Sequence, residues 1–506
     1  MLKSIGILFV LLLCLPCVLS TAATDARLGG GFLTPEPYLG YSVEDWRNEF
    51  QQMKDIGMRT VIMRHTINSS IMKSYYPTNI PGMTMSATAA TDFDNMMDAA
   101  DAEEMDVHLG LVIDEDTWFK WNWALTETSY PEELVSTSTI VANELFARYG
   151  GHSSLKGMYL PQEIDNANYR TEKALGVLTN RVLNPICNHI KSLRSSLIVS
   201  DAPFYNSNSA YAQPAEWQSI WTTILNACPN LDLIIVQDGI GANTLNTFEV
   251  IERYFAATRA ACDATGRQFW SDLEMFTIGA AEYAPPDFSR VKTQLAIEAP
   301  YVDHFVCWVW QYCSPTYSPK SFAFNCNYKR YLEGKETLVN ESLGKSYSYS
   351  LAPSTIYPDP NMTKLTDGKW SIDYVQGGEG DMVGWWDTSN AGTLTITLDL
   401  GEVKKGLTDF RLIMIHADGA AVPALKSDSV RVMVSNGVSN VDLGLMTNNE
   451  SKSTNYAIYR LTTSNEYSAR YVVYTFPFYQ WAICNEIEVY SSPPQTPVEI
   501  SGFELE

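Results

Sequence analysis

Three features of the sequence predict an α/β domain followed by an all-β domain. Short apolar runs alternate with longer helical patterns from residue 28 to about 315, and there are eight such runs. Beyond about residue 340 the helical spacing stops and alternating apolar and polar residues take over. Repeated β-then-α units imply parallel strands joined by right-handed crossovers, and eight of them close most naturally into a (β/α)8 TIM barrel. A doubly wound open sheet is the rival, but Gly29-Gly30-Gly31 stands before or within the first run, where it cannot form the phosphate-binding loop of that fold.

The strand runs are 30–33, 60–64, 107–113, 158–160, 197–200, 233–236, 269–273 and 305–310. Between the first two, Ser42-Val43-Glu44-Asp45 reads as a capping box. Trp46, Phe50 and Met53 follow at helical spacing, and Gly57 ends the unit. Comparable helices are predicted over 91–104, 131–149, 173–193, 214–228 and 246–265. In the C-terminal part, runs at 394–400, 410–415, 430–435, 457–461, 471–475 and 487–490 are separated by Gly, Asp, Asn and Pro turns. They predict an antiparallel jelly-roll sandwich. The expected division is a leader over 1–22, a barrel over 23–340, a sandwich over 341–492 and a tail over 493–506.

The leader expectation rests on Met1-Leu2-Lys3, an apolar stretch over 5–15 and small residues around Ser20–Ala23, the pattern of a cleaved signal peptide. It predicts a secreted or periplasmic protein. Lipidation at Cys14 or Cys17 is disfavoured by Leu13 and Pro16 in the preceding positions. No later apolar run approaches the roughly 18 residues that a membrane span needs. The 506 residues are 45% hydrophobic, enough to build a core, so a disordered polyelectrolyte is excluded. A net charge of −23 with no basic cluster argues against nucleic acid or an anionic lipid surface as partner. The 13 Trp and 28 Tyr suit a carbohydrate partner, whose faces are alternately apolar and polar. Seven cysteines remain after processing, in no zinc spacing, and one or two disulfides are expected among them.

An active site in such a barrel lies at the C-terminal ends of the strands. That filter selects Arg64 and His65; Asp114, Glu115 and Asp116; Gln162, Glu163 and Asp165; Asp201; Gln237 and Asp238; Asp272 and Glu274; and Trp308, Trp310, Gln311 and Tyr312. Hydrolysis of a glycosidic bond needs one carboxylic acid to protonate the leaving oxygen and one carboxylate to attack the anomeric carbon or activate water. Glu163 and Glu274, at the ends of strands 4 and 7, are the leading pair. Asp272 shares a strand face with Glu274 and is an alternative carboxylate. Mutual repulsion and partial burial are expected to hold the acid of the pair protonated. Arg64, His65, Asp114, Trp118, Gln162, Asp238, Asp272 and Trp310 are the candidate substrate-binding residues. For His65, a structural role is an equal alternative. The Asp114–Asp116 cluster reads first as a solvated loop and only second as a cation site.

Glu163 in Leu160-Pro161-Gln162-Glu163 and Glu274 in Asp272-Leu273-Glu274 resemble the acid/base and nucleophile of clan A glycoside hydrolases, although Gln162 stands where that clan has Asn. More narrowly, residues 28–335 resemble a family of secreted, glycosidase-like barrels of unknown function. This resemblance is carried by Gly30-Gly31-Phe32, by Trp46-Arg47-x-Glu49-Phe50-x-x-Met53 and by Gln237-Asp238-Gly239-x-Gly241. It implies a retaining hydrolase that needs no catalytic cofactor. Residues 345–490 resemble discoidin, or factor 5/8 type C, galactose-binding-like domains through Leu365-Thr366-Asp367-Gly368, Gly384-Trp385-Trp386 and Asn485-Glu486-Ile487-Glu488-Val489-Tyr490. That resemblance implies a structural Ca2+ at Asp367 and Glu486, with sugar contacts from Trp385, Trp386, Tyr479 or Trp481. The alternative of a different class is a glycan-binding protein built on a degenerate barrel, in which neither domain cleaves.

Overall fold

The computed structural model describes residues 26–115, 129–242, 246–278, 283–369, 382–416, 422–425, 429–449 and 456–492. Asp116, Trp118 and the segments expected to be a leader, 1–22, and a tail, 493–506, lie outside the described residues. Eight parallel strands close a barrel: β1 Leu28–Leu33, β2 Thr60–Met63, β3 Asp106–Gly110, β4 Leu155–Leu160, β5 Ile198–Asp201, β6 Leu233–Gln237, β7 Gln268–Glu274 and β8 His304–Trp308. Each pairs with its sequence neighbours, and β1 closes the ring on β8 with Gly31 opposite Cys307. The third predicted run is divided, because Val112–Ile113 leaves the barrel to pair with Ile67–Asn68 in a small sheet on the rim.

The helices are α1 Val43–Lys54, α2 Asp92–Glu103, α3 Tyr130–Tyr149, α4 Glu172–Val177, α5 Asn184–Leu193, α6 Pro214–Ala227, α7 Phe248–Thr265, α8 Phe288–Glu298 and α9 Pro319–Leu332. A π-helical stretch, Leu178–Leu183, joins α4 to α5. The capping box at α1 forms as expected, with the Ser42 side chain accepting from the Asp45 amide and the Asp45 carboxylate accepting from the Ser42 amide. No described helix is long and apolar enough to cross a membrane.

Strand alternation decides which residues reach the site. On β6, Leu233 and Ile235 join Phe32, Ile62, Tyr159 and Val306 inside the barrel, while Ile234 and Val236 pack outward against the helices. On β7 the same parity turns Trp270 inward and Ser271 outward, toward Glu298 on α8.

The C-terminal domain is antiparallel throughout. Its main strands are β9 Ser346–Tyr349, β10 Val383–Ile415, β11 Arg431–Ser435, β12 Asn440–Leu445 and β13 Tyr456–Ser491, in the order β9-β10-β13-β11-β12, and the short strands Val339–Asn340 and Thr447–Asn449 also pair with β13. The long β10 and β13 fold back and pair more than once: Phe410, for example, faces both Leu461 and Val489. Phe322 of α9 enters an apolar cluster with Tyr357, Ile413, Tyr456 and Ile483, which joins the two domains. The seven cysteines among the described residues are free thiols, so the expected disulfides are not formed; the Cys307 and Cys313 sulfurs lie 3.7 Å apart.

Candidate active site

The barrel mouth opens into a cavity of about 610 Å³. Tyr159, Pro161 and Glu163 reach it as alternate residues leaving β4, and Asp272, Glu274 and Phe276 as alternate residues leaving β7. Two chain segments with a period of two thus deliver both leading carboxyls to one space. Arg64, Gln237, Trp308 and Tyr312 line the same wall.

The two glutamates have different surroundings. Glu163 Oε1 accepts from Gln237 Nε2 at 3.3 Å. Burial raises its pKa, against the lowering effect of Arg64 and of that hydrogen bond. The expected rise is therefore present, but burial is its main cause, with Glu115 and Asp165 adding to it. Glu274 Oε2 accepts two backbone N–H groups, from Gly241 at 2.6 Å and Ala242 at 2.7 Å. Burial and then Asp238 push its carboxyl up to about 8, although the two amides favour the charged form. The close approach requires glycine: a Cβ on Gly241 would stand 2.2 Å from the Phe276 carbonyl oxygen and 3.0 Å from Glu274 Oε2.

Asp272 lies deeper, with Oδ1 buried and without a hydrogen-bond partner among the described residues; burial and Glu274 hold its carboxyl well above the usual range. Arg64 spans the rim, ion-paired to Glu115 at 3.0 Å and 5.4 Å above the Trp308 ring.

Five candidate residues are not on the cavity wall. His65 is buried, with Nε2 3.2 Å from Glu36 Oε1. Gln162 turns outward and donates to the Val112 carbonyl at 2.7 Å, so it is a structural amide rather than a sugar contact. Asp238 is wholly buried behind Glu274, where Oδ1 accepts from the Ile240 amide and Oδ2 from Gln294. Asp114 accepts from Ser70 Oγ at 3.2 Å beside the rim sheet. Trp310 is buried against Gly31 with its indole N–H donated to Glu49 at 2.5 Å, which corrects its reading as a stacking platform. Trp118 lies outside the described residues.

The sequence reading missed Phe204, Phe276 and Tyr317 on the wall, and the Gly241 and Ala242 amides. Phe276 follows from the parity of Asp272 and Glu274. The amides were signalled by Gly239-x-Gly241 after a strand, a spacing that marks close backbone approach.

In the C-terminal domain Trp385 is core, donating its indole N–H to the Leu351 carbonyl at 2.9 Å, so it is not a sugar platform. Trp386 is exposed, with its ring 5.0 Å from that of Trp481. Trp481 and Tyr479 line a second cavity, of about 600 Å³. Asp367 Oδ1 accepts from the Lys369 amide and Glu486 Oε1 from the Gly368 amide, while Glu486 Oε2 is buried without a hydrogen-bond partner among the described residues. No group of three or more His, Cys, Asp or Glu side chains among the described residues is placed to hold a metal ion.

Fold and site together define an α/β barrel with an acidic, aromatic mouth. The chain belongs to the family described as "Domain of unknown function (DUF4434)", which matches residues 30–323. No curated protein matches the chain. Among solved structures it is similar to one described as a putative alpha-L-fucosidase from Bacteroides thetaiotaomicron VPI-5482, at 19% identity over 61% of this chain and 93% of that one, with a TM-score of 0.52. At that identity the likeness shows the fold. A chitosan-binding module from a chitosanase/glucanase of Paenibacillus sp. IK-5 aligns at 17% identity over 30% of this chain and 99% of its own, with a TM-score of 0.22. An intracellular xylanase of Thermoanaerobacterium saccharolyticum aligns at 13% over 56% and 86%, with a TM-score of 0.37.

Proposed function

We propose that the chain is an exported glycoside hydrolase of the retaining type, with Glu163 as general acid/base and Glu274 as nucleophile. The observation that carries this reading is the delivery of both carboxyls into one cavity at the C-terminal ends of β4 and β7, each with different hydrogen-bond partners. Glu163 is held toward its protonated form by burial, as an acid that protonates a leaving oxygen must be. Glu274 has one oxygen gripped by two amides, which orient it and favour the charged form that attacks the anomeric carbon, against the burial and Asp238 that push the carboxyl up to about 8. Aromatic rings on the wall, Trp308 and Tyr312 among them, supply faces for sugar rings.

In the second domain, Trp386, Tyr479 and Trp481 form a surface suited to a further stretch of glycan. Asp367 and Glu486 would be the side-chain ligands of a structural Ca2+, with backbone carbonyls or water completing its oxygen shell. Burial, Glu488 and Asp367 push Glu486 up to about 10, and a hard cation would supply the positive charge that its unpartnered oxygen lacks.

The test is product release from a broad panel of polysaccharides and 4-nitrophenyl glycosides, with the wild type beside Glu163→Gln and Glu274→Gln. Cleavage that each substitution lowers by about 100-fold or more supports the hydrolase and its carboxyl pair. Wild-type binding to a panel member without release, unchanged in both variants, would favour glycan recognition on an inactive barrel.

A further inference from the structure

Helix α8 carries Arg290, Gln294 and Glu298 at intervals of four, so all three share one face. Gln294 and Glu298 are wholly buried. A helix that buries an amide and a carboxyl without satisfying them loses stability, so their partners reveal what the face holds. Arg290 donates from Nη2 to the Glu274 carbonyl at 2.6 Å and from Nη1 to the Phe276 carbonyl at 2.8 Å, fixing the backbone at the end of β7. Its Nε donates to Gln294 Oε1 at 3.1 Å, which leaves Gln294 Nε2 aimed at Asp238 Oδ2, 2.5 Å away. Glu298 Oε2 accepts from Ser271 Oγ at 2.5 Å.

From Asp238 the chain of contacts continues into the turn after β6. Asp238 Oδ1 accepts from the Ile240 amide at 3.0 Å, and its carbonyl accepts from Asn246 Nδ2 at 2.9 Å. The next two amides, Gly241 and Ala242, are those that donate to Glu274 Oε2. One helix face therefore touches both segments that converge on Glu274. Burial and Asp238 raise Glu298 well above its ordinary value.

We propose that Gln294 and Asp238 are positioning residues for Glu274: through the turn after β6 they hold the Gly241 and Ala242 amides on Oε2 and leave Oε1 as the oxygen presented to the cavity. The proposal deepens the hydrolase reading and rests on it for the role of Glu274. An apolar helix face could pack against the turn, but it could not fix the direction of two N–H groups. A polar stripe with matched donors and acceptors does.

The test uses the full chain and two readouts. Amide hydrogen exchange is followed by mass spectrometry on the peptide containing Gly241 and Ala242, in the wild type, Gln294→Ala, Asp238→Ala and the exchanged pair Asp238→Asn with Gln294→Glu. The exchanged pair keeps acceptors for the Ile240 amide and for Arg290 Nε, and reverses donor and acceptor only in the bond between positions 238 and 294. Exchange at Gly241 and Ala242 is expected to quicken about tenfold in each single variant, the scale of one lost hydrogen bond, and to return to the wild-type rate in the exchanged pair, with β4 and β8 peptides unchanged in all. On the 4-nitrophenyl glycoside that the wild type cleaves, the single variants are expected to lose about 100-fold in kcat with KM within about twofold, and the exchanged pair to recover it. Wild-type exchange at Gly241 and Ala242 in both single variants would overturn the proposal. So would an exchanged pair no better than the singles. If the wild type cleaves no glycoside, the hydrolase reading fails, while the exchange experiment still decides whether Gln294 and Asp238 hold the cradle.

Discussion

Glu274 in the barrel mouth and Asp409 in the C-terminal domain are both almost wholly buried, at 3% and 1% exposure, yet burial leaves them in opposite states. Asp409 would be raised by desolvation, but Arg411 and Arg460 both close on it, at 2.7 and 2.6 Å, and hold it down at about 2. The Arg411 guanidinium also lies 4.1 Å above the Tyr490 ring and 3.4 Å from Glu488. Beside the mouth, Arg290 gives its donors to the Glu274 and Phe276 carbonyls, Thr277 and Gln294 rather than to a carboxylate, and Glu274 stands at about 8. Asp201, wholly buried with neither oxygen hydrogen-bonded among the described residues, is likewise raised well above its ordinary value, by burial and Glu163. A paired buried acid serves architecture. Unpaired ones gathered around a cavity are a store of reactivity, and that contrast marks the mouth more sharply than acidity alone.

The largest effect that would break the comparison is loss of the cation. Arg411→Met should destabilise the C-terminal domain by about 3–5 kcal/mol, because Asp409 and Glu488 would stay buried with less compensation. Urea unfolding measures it, and a change below about 1 kcal/mol would mean that Arg460 alone suffices.

Next in size are the pH slopes, which should have opposite signs. Asp409 has a folded value below its ordinary 3.8, so its contribution is complete above about pH 4 and is lost as pH falls through about 2, a matter of roughly 2 kcal/mol. Glu274 has a folded value above its ordinary 4.5, so the folded chain binds the extra proton between about pH 4.5 and 8, and stability declines as pH rises through that window. Urea midpoints of the wild type and Glu274→Gln from pH 5 to 9 separate the two: the variant should show the flatter decline. Parallel curves would remove Glu274 from the account.

How much of this was legible turns on single steps of register. The eight strands could be counted because each is apolar and short, and Glu163 and Glu274 could be named because each stands at a strand end. What failed was parity. Arg64 faces the cavity and His65 does not; Glu163 faces it and Gln162 bonds Val112; Gln237 faces it and Asp238 turns toward α8. One residue of shift moves a side chain to the other face, and a strand end read from sequence is uncertain by about that much. Trp310 failed differently, because β8 ends at Trp308 and the chain enters a 3-10 turn that breaks the alternation. The grip on Glu274 was not legible because it needs the turn after β6 to meet the end of β7.

That grip gives the third prediction. Gly241→Ala places a Cβ against the Phe276 carbonyl and should lower kcat about 100-fold on the cleaved panel glycoside, the scale of removing aligned amide donors from a reacting group. An unchanged kcat would show that the cradle relaxes around the methyl group.

The smallest effect lies in the C-terminal domain, where parity again separates two adjacent tryptophans. Trp385 is 1% exposed and fills the core, whereas Trp386, one residue on, is 48% exposed beside Trp481. An exposed indole next to a second one is apolar area that folding leaves uncovered, and a sugar face covers it at a gain of about 1 kcal/mol. Trp386→Ala should therefore weaken adsorption to an insoluble polysaccharide that retains the wild type by about fivefold, read by depletion from solution. Adsorption that does not change would assign glycan contact to the barrel alone and leave the second domain an architectural partner held by the Phe322 cluster.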